Sequence, residues 1–229
     1  LLTMPYRNGG RSVTAWNMPG VETACMISGE VNNPAADNKF WSVEIKIPFA
    51  GLTETYSKEK NPPELERCYP VRNAPTTGEV WRMNFSRVQW TVDVADGKYA
   101  KRTGTDGKPL PEDNWVWAAT GIIDIHYPET WAYVFFTENG ESCPMPEEEK
   151  IKLEMYKIYY AQHEYCRRFG CFAKTAEEAA ACLPTGFAYD ADAAKNTIVE
   201  TTSRYFELSR KLTCGKTMVV QCDGFNYIE

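Results

Sequence analysis

The chain has few of the groups that bind transition metals and none of the common catalytic motifs. Only two histidines occur among its 229 residues, and its eight cysteines include no Cys-x-x-Cys pair, so no zinc site is expected. Gly-x-Ser-x-Gly, P-loop, Gly-x-Gly-x-x-Gly and His-Glu-x-x-His sequences are also absent. These absences disfavour zinc enzymes, nucleotide-binding proteins and nucleophile-elbow hydrolases.

Long apolar runs and positive charge are scarce as well. The most apolar stretch covers only residues 131–136, whereas a membrane-spanning helix needs ~20 apolar residues. The net charge is −6, and nucleic acids and anionic membranes are bound by basic faces that release counterions. We therefore expect neither nucleic acid nor a membrane span. The first residues, LLTMPYRNGG, do not have the pattern of a secretory signal peptide.

Residues 1–140 carry the pattern of β structure. Apolar and polar residues alternate over 40–48 and 81–92, and two further strands are predicted over 121–126 and 131–136. Turn signals such as Asp96-Gly97 and Asp106-Gly107 separate them, and no helical pattern intervenes. Strands in this arrangement are typical of an antiparallel β-sandwich, so the predicted fold class is mainly β.

Residues 146–229 carry a different pattern, that of a small α+β appendage. Pro146 and three following glutamates predict a helix start, and Gly170 predicts its end. Thr175 and Glu178 form a capping box that opens a second, alanine-rich helix ending before Pro184. The chain then returns to β structure, with a hairpin predicted around residues 214–216. The predicted domains are thus 1–140 and 146–229.

Tryptophan is concentrated in one region, since five of the seven lie between Trp81 and Trp131. A tryptophan buries roughly 200 Å² and keeps one N–H donor, so a cluster rimmed by polar groups suits neutral amphipathic ligands such as sugars. The alternative is that these rings form the sandwich core. Strand alternation points Trp81 into packing with Met83 and Phe85, which leaves a proline-flanked loop over 114–117 to meet a ligand.

Four motifs in the same order carry a resemblance to the family 9-like carbohydrate-binding proteins of bacteria. They are WSVEIKIPF at 41–49, WRMNFSRV at 81–88, PEDNWVW at 111–117 and HYPETW at 126–131. The resemblance covers residues 1 to about 137. It implies a sandwich that begins upstream of Leu1, so we expect the N-terminal part of that domain to lie outside this chain.

The resemblance also implies a binding site in which a sugar lies between two tryptophans and polar side chains form hydrogen bonds with its hydroxyls. The family's asparagine three residues before the second tryptophan matches Asn114 and Trp117, with Trp115 between them. Its acidic residue six positions after the first tryptophan matches Trp16 and Glu22. Alternation places Arg87 on the apolar side of its strand, either as a buried ion pair or as a ligand clamp.

Further expectations follow from the resemblance. The partner would be a poly- or oligosaccharide, bound without catalysis in the service of glycan degradation or uptake, and the location would be extracytoplasmic. No cofactor is expected, although structural calcium is possible in loops such as Asp96-Gly97 and Asp106-Gly107. In an oxidising compartment some of the eight cysteines could form local disulfides, with a pairing that sequence does not reveal.

Two other functional classes remain open at this point. A glycoside hydrolase needs two carboxylates ~5–9.5 Å apart, and Glu112, Asp113 and Glu129 lie nearest the tryptophans in sequence. His126 is interpreted as a turn or core histidine rather than a base. A non-binding interaction protein would instead use the amphipathic helix over 147–169 to pack on a partner or on the sandwich.

Overall fold

The computed structural model describes residues 17–53, 74–122 and 125–229, and more of them lie in strands than in helices. The strands are β1 Glu22–Ser28, β2 Phe40–Lys46, β3 Val80–Met83, β4 Ser86–Gln89, β5 Val92–Ala95, β6 Lys98–Lys101, β7 Asp113–Val116, β8 Ala132–Phe135, β9 Ile198–Thr201, β10 Phe206–Lys211, β11 Thr217–Gln221 and β12 Asn226–Ile228. The helices are α1 Phe49–Thr53, α2 Glu147–Phe169, α3 Ala176–Ala180 and α4 Ala191–Lys195, with a 3₁₀ turn at Pro128–Thr130.

These elements separate into two compact units. We call residues 17–53 and 84–118 the strand-pair unit, and residues 74–83, 119–122 and 125–229 the helical unit. Every paired strand is antiparallel, so the predicted β-rich, antiparallel fold is confirmed. The two-sheet sandwich and the domain boundaries at 140 and 146 stay predictions, and the two units divide the chain at other positions.

The strand-pair unit is built from three two-stranded sheets, β1–β2, β4–β7 and β5–β6. The predicted turn at Asp96-Gly97 joins β5 to β6, and both residues have positive φ, 51° and 72°, which fits a type I′ hairpin turn. At Asp106-Gly107 the chain also turns as predicted, and the Asp106 carboxylate accepts a hydrogen bond of 3.1 Å from the Lys108 backbone N–H.

Large apolar side chains of the strand-pair unit remain accessible to solvent. In the β1–β2 hairpin Ile27 lies opposite Trp41 and Cys25 opposite Val43, and all four are exposed. None of the buried hydrophobic side chains that form the core of the described residues comes from this unit. Its geometry is therefore maintained by ladder hydrogen bonds and cross-strand pairs more than by a buried interior.

The helical unit is organised around α2, whose ends lie where the sequence predicts them. Glutamates 147, 148 and 149 occupy the positively polarised first turn, and Arg167 and Arg168 occupy the last. Gly170 follows with φ of 73°, the left-handed conformation that glycine adopts at little cost, and its N–H donates to the Cys166 carbonyl. The predicted long amphipathic helix is confirmed.

The apolar face of α2 packs on the four-stranded sheet β12-β11-β10-β9. Met155 and Tyr159 are fully buried on the helix, and Phe206, Leu208 and Val220 are fully buried on the sheet. Burial of each such side chain contributes about 1.5–3 kcal/mol, so this contact supplies much of the stability of the unit. The predicted hairpin around 214–216 is present, with Gly215 at φ of 87° between β10 and β11.

Two strand predictions are corrected by the structure. The alternation over 81–92 is broken at Asn84 and Phe85, because β3 pairs with β8 in one unit whereas β4 pairs with β7 in the other. The apolar pattern over 121–126 predicts a strand, but residues 121–122 and 125–126 form bends and turns. Alternation alone specifies neither the partner of a strand nor its length, so both errors have the same origin.

Candidate functional site

The register of β4 against β7 brings three cross-strand pairs onto one face. Trp115 lies opposite Arg87, and Asp113 lies opposite Gln89. The Trp117 N–H donates to the Phe85 carbonyl over 2.8 Å, which extends the ladder by one further pair. Because side chains alternate along a strand, these residues share one side of the sheet. We call this surface the aromatic face, consisting of Phe85, Arg87, Gln89, Asp113, Trp115 and Trp117.

The aromatic rings of this face are open to solvent, and two of them are close to each other. Trp115 and Trp117 each expose 60% of their surface, and Phe85 exposes 47%. The ring centroids of Phe85 and Trp117 are 5.7 Å apart with an interplanar angle of 56°. The centre of the Arg87 guanidinium lies 5.9 Å from the Trp115 ring, within the range of a cation–π contact. Two indoles therefore present accessible surface beside a cation.

Two charged groups of the aromatic face have unused hydrogen-bonding capacity. Within the described part of the chain, neither the Arg87 guanidinium nor the Asp113 carboxylate forms a hydrogen bond or an ion pair. Of the two alternatives for Arg87, a buried ion pair is therefore wrong, since this guanidinium is exposed and unpaired. An arginine donates up to five N–H bonds and a carboxylate accepts several, so the face offers both donors and acceptors beside its rings.

The end of this ladder is fixed by Asn84. Its side-chain amide donates to the Ala118 carbonyl over 3.1 Å and accepts from the Ala118 N–H over 3.3 Å. This pair of bonds continues the ladder past Trp117 and holds the adjoining backbone in an extended form. An exposed indole with an anchored backbone loses little conformational freedom when it meets a ligand.

The structure brings together only some of the predicted site residues. Trp115, Trp117 and Arg87 share the aromatic face, but Asn114 lies on the opposite side of the sheet, across from Val88. The expectation of a loop over 114–117 is also wrong, because Asp113–Val116 is a strand. A spacing of three residues, as between Asn114 and Trp117, places side chains on opposite faces whenever the backbone is extended.

The other predicted pair does not contribute to this face. Glu22 lies at the start of β1, in a different two-stranded sheet, and its carboxylate is 2.9 Å from the Lys46 ammonium. Both side chains are about 70% exposed, so this ion pair adds little to stability. Trp16 lies outside the described residues.

The tryptophan-rich region is divided between the two units. Trp81 belongs to the helical unit, where its ring lies 4.9 Å from that of Phe136 and its N–H donates to Glu79. This agrees with the expectation that Trp81 is a packing residue. Alternation predicts that Phe85 packs with Trp81, but Phe85 is exposed on the aromatic face.

A second group of polar side chains surrounds a cavity of about 190 Å³ in the helical unit. We call it the polar cavity; its lining residues are Arg82, Pro128, Glu129, Lys152, Leu153, Tyr156 and Asn226. Glu129 is supplied by the 3₁₀ turn, and its carboxylate accepts a 2.6 Å hydrogen bond from the Tyr160 hydroxyl. Burial raises the pKa of Glu129, although the Tyr160 hydrogen bond and the charges of Arg82 and Lys152 oppose the increase.

The cations of the polar cavity are held by several contacts. The Arg82 guanidinium lies over the Tyr133 ring, 3.4 Å from its centroid, and donates to the Trp131 carbonyl over 2.9 Å and to the Tyr133 hydroxyl. It is also 3.8 Å from Glu149, which forms a second ion pair with Lys152. Burial lowers the pKa of Arg82, while the charge on Glu149 opposes that change.

Metal and disulfide chemistry have little structural support in the part of the chain that is described. Nowhere in 17–53, 74–122 or 125–229 do three or more histidine, cysteine, aspartate or glutamate side chains converge as metal ligands would. The described cysteines are free thiols. His126 occupies an exposed turn. His163 donates one 2.9 Å hydrogen bond from Nε2 to the Cys222 carbonyl, and burial lowers its pKa.

Sequence reasoning missed several residues that the fold places in these two sites. Phe85 and Gln89 join the aromatic face only because of the β4–β7 register, which no local pattern specifies. Tyr160 reaches Glu129 across 31 positions of sequence. The one available signal was the band of tyrosines on α2, which the periodicity places on its buried face.

Comparisons with known protein families, with curated proteins and with solved structures give no match for this chain. In the described residues, no helix is both long enough and apolar enough to cross a membrane. A functional assignment therefore has to come from the chemistry of the aromatic face and the polar cavity.

Proposed function

We propose that this protein binds a poly- or oligosaccharide without catalysis, through the aromatic face of the β4–β7 sheet. The observation that carries the proposal is the exposure of Trp115 and Trp117, 60% each, on one side of a short ladder. Exposed indoles on one side of a sheet are costly to leave in water, and a ligand with an apolar surface relieves that cost.

The chemistry of the face suits a pyranose ring. The axial C–H groups of a sugar form an apolar patch that stacks on indole, whereas its hydroxyls need donors and acceptors around the rim. Trp115 and Trp117 supply the stacking surface, Arg87 supplies donors, and Asp113 supplies acceptors. A role in glycan degradation or uptake outside the cytoplasm, as the resemblance implies, is part of this proposal.

Substitution of Trp117 by alanine tests the proposal. We expect Trp117→Ala to lower retention on the cognate glycan about five- to tenfold, because stacking on one aromatic side chain contributes on the order of 1–1.5 kcal/mol. The cognate glycan is first identified with the intact chain on a glycan array. Absence of binding to every carbohydrate on the array would contradict the proposal.

Two control variants show whether a loss of binding is specific to the aromatic face. Trp41→Ala removes a tryptophan of similar exposure, 53%, from the β1–β2 hairpin and should leave binding unchanged. Asn114→Ala changes the opposite side of β7 and should also leave binding unchanged. If Asn114→Ala abolished binding while Trp115→Ala did not, the ligand would occupy the other side of the sheet.

A further inference from the structure

The polar cavity of the helical unit has more hydrogen-bond donors than acceptors. An arginine has five N–H groups and a lysine ammonium has three. Arg82 uses two in hydrogen bonds, to Trp131 and Tyr133, and Lys152 uses one, to Glu149. Several N–H groups of these two cations are therefore available, and both side chains are less than a quarter exposed. A ligand that satisfies them has to supply acceptors.

The ion pairs of the cavity leave its two cations short of carboxylate partners. Within the described residues, Arg82 and Lys152 share one ion-pair partner, Glu149. In the same part of the chain Glu129 forms no ion pair; its carboxylate accepts from the Tyr160 hydroxyl, and burial raises its pKa. A ligand carboxylate can therefore form charge-assisted hydrogen bonds with N–H groups that no protein carboxylate occupies.

The charged and titratable groups that interact with Glu129 come from two elements. They are Arg82 on β3 and Lys152, Tyr159 and Tyr160 on α2. One buried polar group near Glu129, the Tyr159 hydroxyl, has no hydrogen-bond partner among the described residues. Such groups are rare in a folded interior.

The size of the cavity limits what it can hold. A cavity of about 150 Å³ accommodates benzene, so about 190 Å³ has room for roughly six to nine non-hydrogen atoms. Pro128 and Leu153 add an apolar part to the wall, and Asn226, whose amide donates to the Tyr156 hydroxyl over 3.1 Å, adds a polar part at β12. Short methylene chains fit the first part and carboxylates fit the cations.

We propose that the polar cavity is a binding site for a small organic carboxylate of about six to nine non-hydrogen atoms, held by the Arg82 guanidinium and the Lys152 ammonium. The site belongs to the helical unit and does not depend on the carbohydrate proposal, whose residues all lie in the strand-pair unit.

Succinate is the probe for this proposal, and its neutral analogue succinamide and inorganic phosphate are the comparison ligands. The full chain is titrated with each near neutral pH, by calorimetry and by NMR of the Asn226 side-chain amide, which reports on the cavity wall. We expect succinate to bind and to shift the Asn226 signals. Equal binding of succinamide, binding of phosphate alone, or no binding of any of the three would overturn the proposal.

Variants of the cavity wall test the assigned roles. Lys152→Gln should weaken succinate binding at least about tenfold, because it removes a charge-assisted hydrogen bond, and Lys152→Arg should restore most of it. Lys157→Gln is the matched control, since Lys157 forms the same kind of ion pair, with Glu154, on the same helix outside the polar cavity. A melting curve of each variant verifies that α2 is still folded.

Glu129→Gln separates an anion site from a cation site. The glutamine keeps an acceptor for Tyr160 and imitates the neutral acid, so binding of succinate should be retained or strengthened. If Glu129→Gln abolished succinate binding, or if Lys152→Gln left it unchanged in a folded protein, the carboxylate assignment would be wrong.

Discussion

Replacement of Gln162 by leucine should be among the most destabilising single changes in the helical unit. Gln162 is fully buried on α2, and its amide forms two hydrogen bonds with Ala173, a residue that is itself 1% exposed. The side-chain Nε2 donates to the Ala173 carbonyl over 2.8 Å, and Oε1 accepts from the Ala173 N–H over 2.8 Å. One side chain thus satisfies both backbone polar groups of a buried residue, which connects α2 to the segment before α3.

The expected loss of stability in Gln162→Leu follows from these two hydrogen bonds. Leucine is similar in volume to glutamine, so Gln162→Leu leaves little cavity but deprives a buried donor and a buried acceptor of their partners. Each orphaned group costs roughly 1–3 kcal/mol, which is offset in part by the lower cost of burying leucine. We expect a net loss of about 2–4 kcal/mol in the free energy of unfolding.

Urea denaturation followed by the helical circular-dichroism signal measures this loss, because α2 supplies most of the helix in the described residues. Gln221→Leu is the matched control, since the Gln221 amide is only half-buried and donates to Glu207 over 3.1 Å. That variant should lose less than about 1 kcal/mol. Equal stability of Gln162→Leu and the unsubstituted protein would refute the reasoning that Ala173 depends on this amide.

Two further predictions concern Glu129 and Gly170. Because burial raises the pKa of Glu129, the folded protein holds this proton more tightly than the unfolded chain, and stability is lost as pH rises from about 4.5 through the folded pKa. The free energy of unfolding of Glu129→Gln should therefore equal that of the unsubstituted protein below pH ~4. Near pH ~8 it should be higher, by about 1.4 kcal/mol for each pH unit between the folded and unfolded pKa. The same stability difference at both pH values in thermal unfolding would contradict this. Gly170→Ala should lower the free energy of unfolding in urea by about 1 kcal/mol, because the backbone at residue 170 has a φ of 73°. Gly170→Asn should lose less, since asparagine tolerates this conformation. Equal losses in the two variants would point to a steric cause instead.

Local chemistry in the sequence was sufficient for two helices, α2 and α3, whereas the five-residue helices α1 and α4 were not predicted. The ends of α2 follow from acidic residues in its first turn, arginines in its last and Gly170 after it. The capping box at Thr175 is present, with its hydroxyl accepting from the Glu178 N–H over 3.1 Å. Signals of this kind act within one turn of the chain, so they can be identified without knowledge of the rest of the fold.

Strand partners, by contrast, were decided only by the tertiary structure. The same alternation that predicts one long strand over 81–92 is satisfied by two short strands with different partners. Which side chains lie together on one side of a sheet depends on the register of the paired strands. The β4–β7 pairing places Asn114 and Trp117 on opposite sides and places Trp117 across from Phe85. The polar cavity likewise needs a strand, a 3₁₀ turn and a helix to meet.

By itself, the sequence determined that this protein has an antiparallel, β-rich fold, a long amphipathic helix and an unusual concentration of tryptophan. The tertiary structure decided which tryptophans are exposed together and placed Glu129 beside Tyr160 and two cations. The physical reason is the range of the interactions. Caps and helical periodicity act over three to four residues, whereas cross-strand pairing and desolvation depend on residues far apart in the chain.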